Sequence, residues 1–449
     1  MKPAAVVLRS LTEVLLFALS GCTAPEKPAG LASLDHPPLI YITNDVHLLA
    51  DALHDDGPRY QRIIGEGDGK NTEMIPSLLR TLLRTAQEER PDMILFNGDL
   101  TFNGEKESHQ ALAQEMAAIE ALGVKVFVIP GNHDINNPWA RTYFNERASY
   151  APAVGPREFE TIYADFGYRE AVSRDRETLS YTVRPMPGLR LLMLDSAKYK
   201  NNRELGSPET AGAIPESTRK WICAEAEAAK KDGDRIVAAM HHSLMDHHPM
   251  VNRGFTIENA ASLRELFAEL GINFILTGHI HAQDISQRQT SSGSIVYDIA
   301  TSALAVYPHQ IGVLRFNSEQ AGWNYSVKAL DVEAWARAGG LQDQRLLQFN
   351  AWSEEFFRRV SEDMVRRRLS ATALRLSAEE LESLSILVGT LNARYFAGSE
   401  YLNAQDIYDS QGYQLLETYK FDFLYEYAKT IMEDAPPPNR ELFIPVSPF

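Results

Sequence analysis

The apolar run Lys125-Val126-Phe127-Val128-Ile129-Pro130 ends at Gly131-Asn132-His133-Asp134, and that junction constrains the fold more than any other stretch of the chain. β-Branched residues pack densely on a sheet covered on both faces, and Pro130 lacks the N–H that would extend the ladder, so the run reads as a buried strand. The polar residues after it then lie at the carboxyl edge of the sheet, where α/β folds place their ligands. Four more runs end in the same way. Residues 38–43 precede Asn44-Asp45-Val46-His47, and 93–96 precede Asn97-Gly98-Asp99. Residues 235–240 deliver His241 and His242, and 272–276 lead to Thr277-Gly278-His279-Ile280-His281. Helical spacing at Leu78, Leu79, Leu82 and Leu83, and again over 105–122 before Gly123, alternates with these strands. That rhythm predicts an α/β fold with parallel pairing through right-handed crossovers.

Taken in order, D-x-H, G-D, G-N-H-D, H-H and G-H-x-H resemble the signature of the calcineurin-like metallophosphoesterases, over residues 38–330. The resemblance implies a two-sheet α/β/β/α sandwich, with mixed sheets packed face to face and flanked by helices. It also implies two metal ions. Asp45, His47, Asp99 and His281 would hold one, and Asp99, Asn132, His241 and His279 the other, so that Asp99 bridges. His241 is preferred because the family uses the first histidine of such a pair, with His242 the fallback. His133 is implied to contact the phosphoryl group and protonate the leaving group, with Asp134 orienting it or supporting the turn. Strand alternation puts Asp45 and His47 on one side, and likewise His279 and His281.

The chemistry explains why such residues are needed. A paired metal centre lowers the pKa of a bridging water and clamps the in-line transition state across ~3.5–4 Å. Imidazole, carboxylate and amide ligands without thiolate suit Mn, Fe or Zn. Phe102 stands where purple acid phosphatases carry the tyrosine of G-D-x-x-Y, and His47 completes a D-x-H that they lack. The small phosphodiesterase branch, with cyclic-nucleotide and glycerophosphodiester enzymes, is the better match. The expected activity is hydrolysis of a small phosphate ester, diesters preferred, by a metal-bridging hydroxide. The alternatives are phosphomonoesterase or nucleotidase-like activity, and a surface lipoprotein that binds metal without turnover.

Charge excludes one class of partner. A formal net charge of −16 over 449 residues supplies no basic stripe for a nucleic-acid backbone. At the amino terminus, Lys2 and Arg9 precede the apolar run 14–19, and Leu19-Ser20-Gly21-Cys22 resembles a lipobox. Residues 1–22 are thus expected to be a lipoprotein signal, with Cys22 acylated and the protein exported and membrane-anchored at the cell envelope. The alternative is a secreted or periplasmic protein with a non-lipidated signal. Residues 23–37, rich in Pro, Ala and Gly, read as a tether.

Within 48–70 the glycines predict a loop leaving the strand edge, able to form one wall of a pocket. The aromatics Trp139, Tyr143, Phe144, Phe159, Tyr163, Phe166 and Tyr168 suit a subsidiary core, or in part a substrate cleft. Asp195 is another strand-end acid with a possible supporting contact, and Cys223 reads as a buried free thiol in a helix. The runs 294–299, 311–316 and 323–327 predict successive antiparallel strands completing a second sheet. Residues 331–449 read as a helical region, with a capping box at Ser377-Ala378-Glu379-Glu380 and a last helix over 413–433. Arg358, Arg359, Arg366, Arg367 and Arg368 fit the wet face of a helix or a basic patch.

Overall fold

The computed structural model describes residues 31–446 except 35, 66, 372–374, 403, 421 and 435. The lipobox and most of the expected tether lie outside these. The part of the tether that is described rests on the domain: Ala32 N–H donates to the Gly233 carbonyl at 2.8 Å, and its own carbonyl accepts from Arg235.

Strands β1 (Leu39–Thr43), β2 (Met93–Asn97) and β3 (Lys125–Ile129) pair in parallel. β1 and β2 are buried at every position, as runs of apolar residues on a two-sided sheet must be. A hairpin, β4 (Arg141–Phe144) and β5 (Arg147–Tyr150), stands apart. The chain then builds a second sheet from β6 (Ser173–Arg174), β7 (Tyr181–Met186), β8 (Leu189–Leu194), β9 (Arg235–Met240), β10 (Phe274–Thr277), β11 (Asp284–Gln289) and β12 (Ile295–Ala300). Its order is β11-β12-β10-β9-β8-β7-β6. Finally β13 (Gln310–Asn317), β14 (Gly322–Ala329) and β15 (Glu441–Pro445) return to the first sheet, whose order is β15-β14-β13-β1-β2-β3.

Side-chain alternation shows how the sheets face one another. Leu189, Leu191 and Met193 of β8, Val237 and Ala239 of β9 and Leu276 of β10 share one core with Ile40, Ile42, Ile94 and Phe96 of the first sheet. Their neighbours Leu192, Leu194, Ala238, Met240 and Ile275 point the other way, onto Ile222 of helix Glu216–Asp232 and Leu263 and Phe267 of helix Ala260–Glu269. This is the expected sandwich with helices outside it.

Four expectations are corrected. The last three strands of the catalytic region do not complete one sheet: β12 lies parallel to β10, whereas β13 crosses to pair antiparallel with β1. Apolar alternation marks a strand but not its partner, and the buried connection 301–309 is what carries the chain between sheets. The segment 48–70 contains a helix, Pro58–Gly65, whose buried Tyr60 and Ile64 join a small apolar cluster. The C-terminal region is not wholly helical, because β15 pairs with β14, and its last helical pattern divides into Gln411–Tyr419 and Asp422–Met432. Cys223 is half-buried rather than buried.

Helices Phe349–Ser370 and Ala378–Phe396 pack on the catalytic region. Phe349 and Phe357 enter the central core, and Ser353 Oγ lies 2.6 Å from His309 Nε2 and 2.9 Å from Asn71 Nδ2. The Ser377 capping box forms as expected. Arg359 and Arg366 pair with Glu355, Glu362, Asp363 and Glu382, so much of the arginine face is neutralised. Among the described residues no helix is long and apolar enough to cross a membrane.

Candidate metal centre

Asp45, His47, Asp99 and His281 offer ligand atoms that lie within 4.8 Å of one another, and so do Asp99, His241 and His279. Asp99 belongs to both groups. Asn132 joins the second, its Oδ1 lying 3.2 Å from His241 Nε2.

The backbone that holds them is unusual. Asp45, His47, Asp99, His279 and His281 all have φ between 48° and 68°, a left-handed conformation uncommon outside glycine. Such residues cost about 1–3 kcal/mol each and cluster where function requires them. The shared side of Asp-x-His is therefore reached through two left-handed residues after β1 ends, not through the pleat of a strand. His279 and His281 fall into different groups, although alternation placed them on one side. Two glycines permit the crowding. A Cβ on Gly131 would lie 2.2 Å from Asp99 N, and one on Gly98 2.5 Å from His241 Nδ1.

Each aspartate is half anchored. Asp99 Oδ1 accepts from His133 N–H at 2.9 Å, leaving Oδ2 facing His241, His47 and His133 at 3.4, 3.8 and 4.0 Å. Asp45 Oδ2 accepts from His279 N–H at 3.0 Å, while Oδ1 is buried without a hydrogen-bond partner, 3.4 Å from His281 Nε2. The Nε2 atoms of His47 and His281 approach to 3.1 Å. Backbone carbonyls fix two of the rings: His241 Nδ1 donates to Asn97 O at 2.9 Å and His279 Nε2 to Gly254 O at 3.1 Å, which turns the opposite nitrogens towards the site.

Burial pushes the Asp99 carboxyl up, yet the His241 and His133 rings outweigh it and hold the group well below the carboxylate range. Burial pulls His241 down, but the Asp99 carboxylate raises it to about 9. Burial, and then His241, push His279 to about 3. Burial and Lys70 hold His47 well below its ordinary value. A buried carboxylate oxygen without a hydrogen-bond partner is costly unless a cation sits there. The oxygen and nitrogen donors therefore fit transition-metal ions.

His242 lies outside both groups. Its Nδ1 pairs with Ser196 Oγ at 2.8 Å and its Nε2 donates to Thr210 O at 3.0 Å. The Asp134 carboxylate accepts from the N–H groups of Leu100, Thr101 and Gly131 and from Thr101 Oγ1, so it ties the turn and does not touch the His133 ring. That ring is set by Phe102 O, 2.8 Å from Nδ1. Asp195 likewise holds a loop, through Leu179 N–H, Ala197 N–H and the Tyr199 hydroxyl.

A cleft of about 400 Å³ opens over the ligands. Its sides include Asp68 and Lys70 from the loop expected to form a wall, and half-exposed Trp139 from the aromatic excursion. Phe159, Tyr163, Phe166 and Tyr168 pack in the core instead. The opposite wall was not foreseen: Phe357, Met364, Tyr395, Phe396 and Tyr427 all come from the C-terminal helices. The apolar repeat Phe349, Trp352, Phe356, Val360 and Met364 was the available signal, but spacing alone does not say which surface a helix covers.

The family description "Calcineurin-like phosphoesterase" matches residues 38–283. The chain belongs to this family. Residues 331–436 match a second description, "C-terminal domain of cyclic nucleotide phosphodiesterase". A cAMP/cGMP dual specificity phosphodiesterase of Mycobacterium tuberculosis is 24% identical over 56% of this chain and 65% of its own length, so the chain spans just under two thirds of that relative. A protein of Arcobacter nitrofigilis named "Probable glycerophosphodiester phosphodiesterase" is 23% identical over 59% of this chain and 75% of its own. A dimetal phosphatase structure from Danio rerio superposes with a TM-score of 0.45 at 14% identity, covering 66% of this chain and 96% of that one. Both of these sequence relatives are named as phosphodiesterases.

Proposed function

We propose that this phosphoesterase cleaves phosphodiesters in preference to monoesters, using two metal ions of the Mn, Fe or Zn kind. The observation that carries the reading is Asp99, which belongs to both ligand groups and whose Oδ2 faces His47 of one and His241 of the other. Asp45, His47, Asp99 and His281 would hold one ion, and Asp99, Asn132, His241 and His279 the other. Bound there, the ions supply Lewis acidity and, from water, a nucleophile at neutral pH.

The protein's own groups do the rest. Because the Phe102 carbonyl can only accept, His133 Nδ1 keeps its hydrogen and Nε2 is the atom that passes a proton to the leaving oxygen. The Asp134 carboxylate keeps the turn carrying Asn132 and His133 against the one carrying Asp99. The anchored oxygens of Asp45 and Asp99 keep ligands from reorienting, which is where a preorganised site gains over solvent.

Diester preference is supported by the two relatives, both named as phosphodiesterases, by His47 and by Phe102 in the tyrosine position. The test is kcat/KM for a bis-aryl phosphate against the matching mono-aryl phosphate under one metal condition. A diester advantage is expected, and a monoester advantage of roughly tenfold, about 1.4 kcal/mol, would overturn it. At the amino terminus we propose a lipid anchor on Cys22, supported by the lipobox sequence. Cys22→Ser is expected to release the protein from membranes of the source bacterium, and retention would refute the anchor.

A further inference from the structure

The cleft over the ligands does not end at its helical wall. A second cavity of about 600 Å³, predominantly apolar, continues between helices Phe349–Ser370, Ala378–Phe396 and Asp422–Met432. The two share Val251, Ser361, Met364, Asn392 and Tyr427 as lining, so one groove runs from Asp99, Asn132 and His133 into the helical region. Its far part is lined by Val388, Phe423 and Leu424, with Arg368 lying 3.9 Å over the Phe423 ring at its side. Val251, Met364 and Phe423 are 43%, 48% and 40% exposed, an apolar surface that a soluble polar substrate would leave in water. A substrate reaching the ligands with its phosphate while carrying a flexible hydrocarbon chain would cover it.

We infer that the groove binds the apolar chain of a single-chain amphiphilic phosphodiester whose phosphate lies at the metal centre. The inference rests on the proposed phosphodiesterase reading and adds a substrate class to it. Two features favour one molecule over a docked surface. The groove is continuous with the catalytic cleft, and it is a trough between helices rather than a flat face. The phosphate supplies the charged end at the ligands, and of the side chains lining the apolar cavity only Arg368 and Lys420 are charged. Hydrolysis of such a substrate adds the oxygen of water to phosphorus and breaks the bond to the leaving oxygen, which takes up a proton.

The experiment uses the full metal-loaded protein and p-nitrophenyl phosphodiesters whose second ester is methyl, hexyl or decyl, below their micelle concentrations. kcat/KM is expected to rise at least tenfold from methyl to decyl, the gain from burying only two of the nine added methylenes at about fourfold each. In Phe423→Glu, and independently in Met364→Glu, both at solvent-facing side chains, the decyl-to-methyl ratio should collapse towards one. A flat chain-length profile in the native protein, or an unchanged ratio in both variants, overturns the inference. In parallel, binding of decyl(methyl)phosphinate, whose two P–C bonds leave no ester to hydrolyse, and of dimethylphosphinate is measured by calorimetry. If no ester is turned over but the decyl compound still binds tenfold tighter and loses that advantage in the variants, the groove assignment stands and the phosphodiesterase reading falls. Equal binding of the two compounds overturns the groove assignment whatever the turnover.

Discussion

The sheet edge carrying Asp45, Asp99 and the histidines and the helical wall opposite it meet in one cleft, yet they are held in different ways. At the edge, the ligands sit one to four residues beyond a strand, five of them on left-handed backbone, and hydrogen bonds between adjacent turns, such as His133 N–H to Asp99 and His279 N–H to Asp45, pin them. The wall depends instead on how the C-terminal elements dock on the domain: Phe357 against Tyr307, Ser353 against Asn71 and His309, and β15 against β14. The comparison teaches that chemistry and access are specified separately. Substitutions at the edge should strike catalysis without unfolding the protein, whereas those in the wall should strike stability and the shape of the cleft.

The largest effect expected from a single residue outside the ligand groups is at His133. His133→Ala should lower kcat by roughly 10²–10⁴-fold, the range of a general acid, with metal content unchanged. Metal analysis beside the kinetics would reveal a ligand role if the ions left with the activity. Phe357→Ala tests the wall. The ring is buried between Gly69, Tyr307 and Phe396, so its loss should cost about 3–5 kcal/mol of stability and raise KM more than it lowers kcat. Denaturant midpoints with unchanged stability would detach the wall from the core.

The smallest effect sharpens the boundary between the two regions, where His247 is buried between two carboxylates, its Nε2 3.1 Å from Asp298 and its Nδ1 on Asp284. Burial pulls this ring down, but Asp298 and Asp284 raise it to about 10. A pKa raised on folding contributes stability that is complete below the unfolded value of ~6.5 and is lost as pH rises through the folded one. His247→Gln should therefore be destabilised by about 3 kcal/mol near pH 6, with the deficit shrinking towards pH 10. A deficit independent of pH would show that the ring acts by packing alone.

How much was legible in the sequence follows the same division. Asp45, His47, Asp99 and the G-N-H-D turn could be found because each motif follows its own apolar run within a few residues. The choice of His241 over His242 came from the family pattern, and the structure supplies a physical ground in the Ser196 and Thr210 contacts that occupy the second ring. The left-handed backbone was not legible, since Asp and His carry no obligatory signal for it. Nor were the sheet assignments of β12 and β13, because both read alike as alternating strands. β11, Asp-Ile-Ser-Gln-Arg-Gln, was missed for lack of an apolar pattern, being an edge strand with one polar end. The groove lined by Phe357, Met364 and Tyr427 required knowing where three helices dock.

The account rests on Asp99 serving two ions, and metal content decides that most directly. Purified protein reloaded with Mn, Fe or Zn, then desalted, should carry two ions per chain by elemental analysis. Asp99→Ala should lose both together with its activity, while far-ultraviolet circular dichroism keeps the native signal. Two retained ions and ordinary turnover in that variant would contradict the shared-ligand site, and a single ion in the fully active native protein would contradict the paired centre.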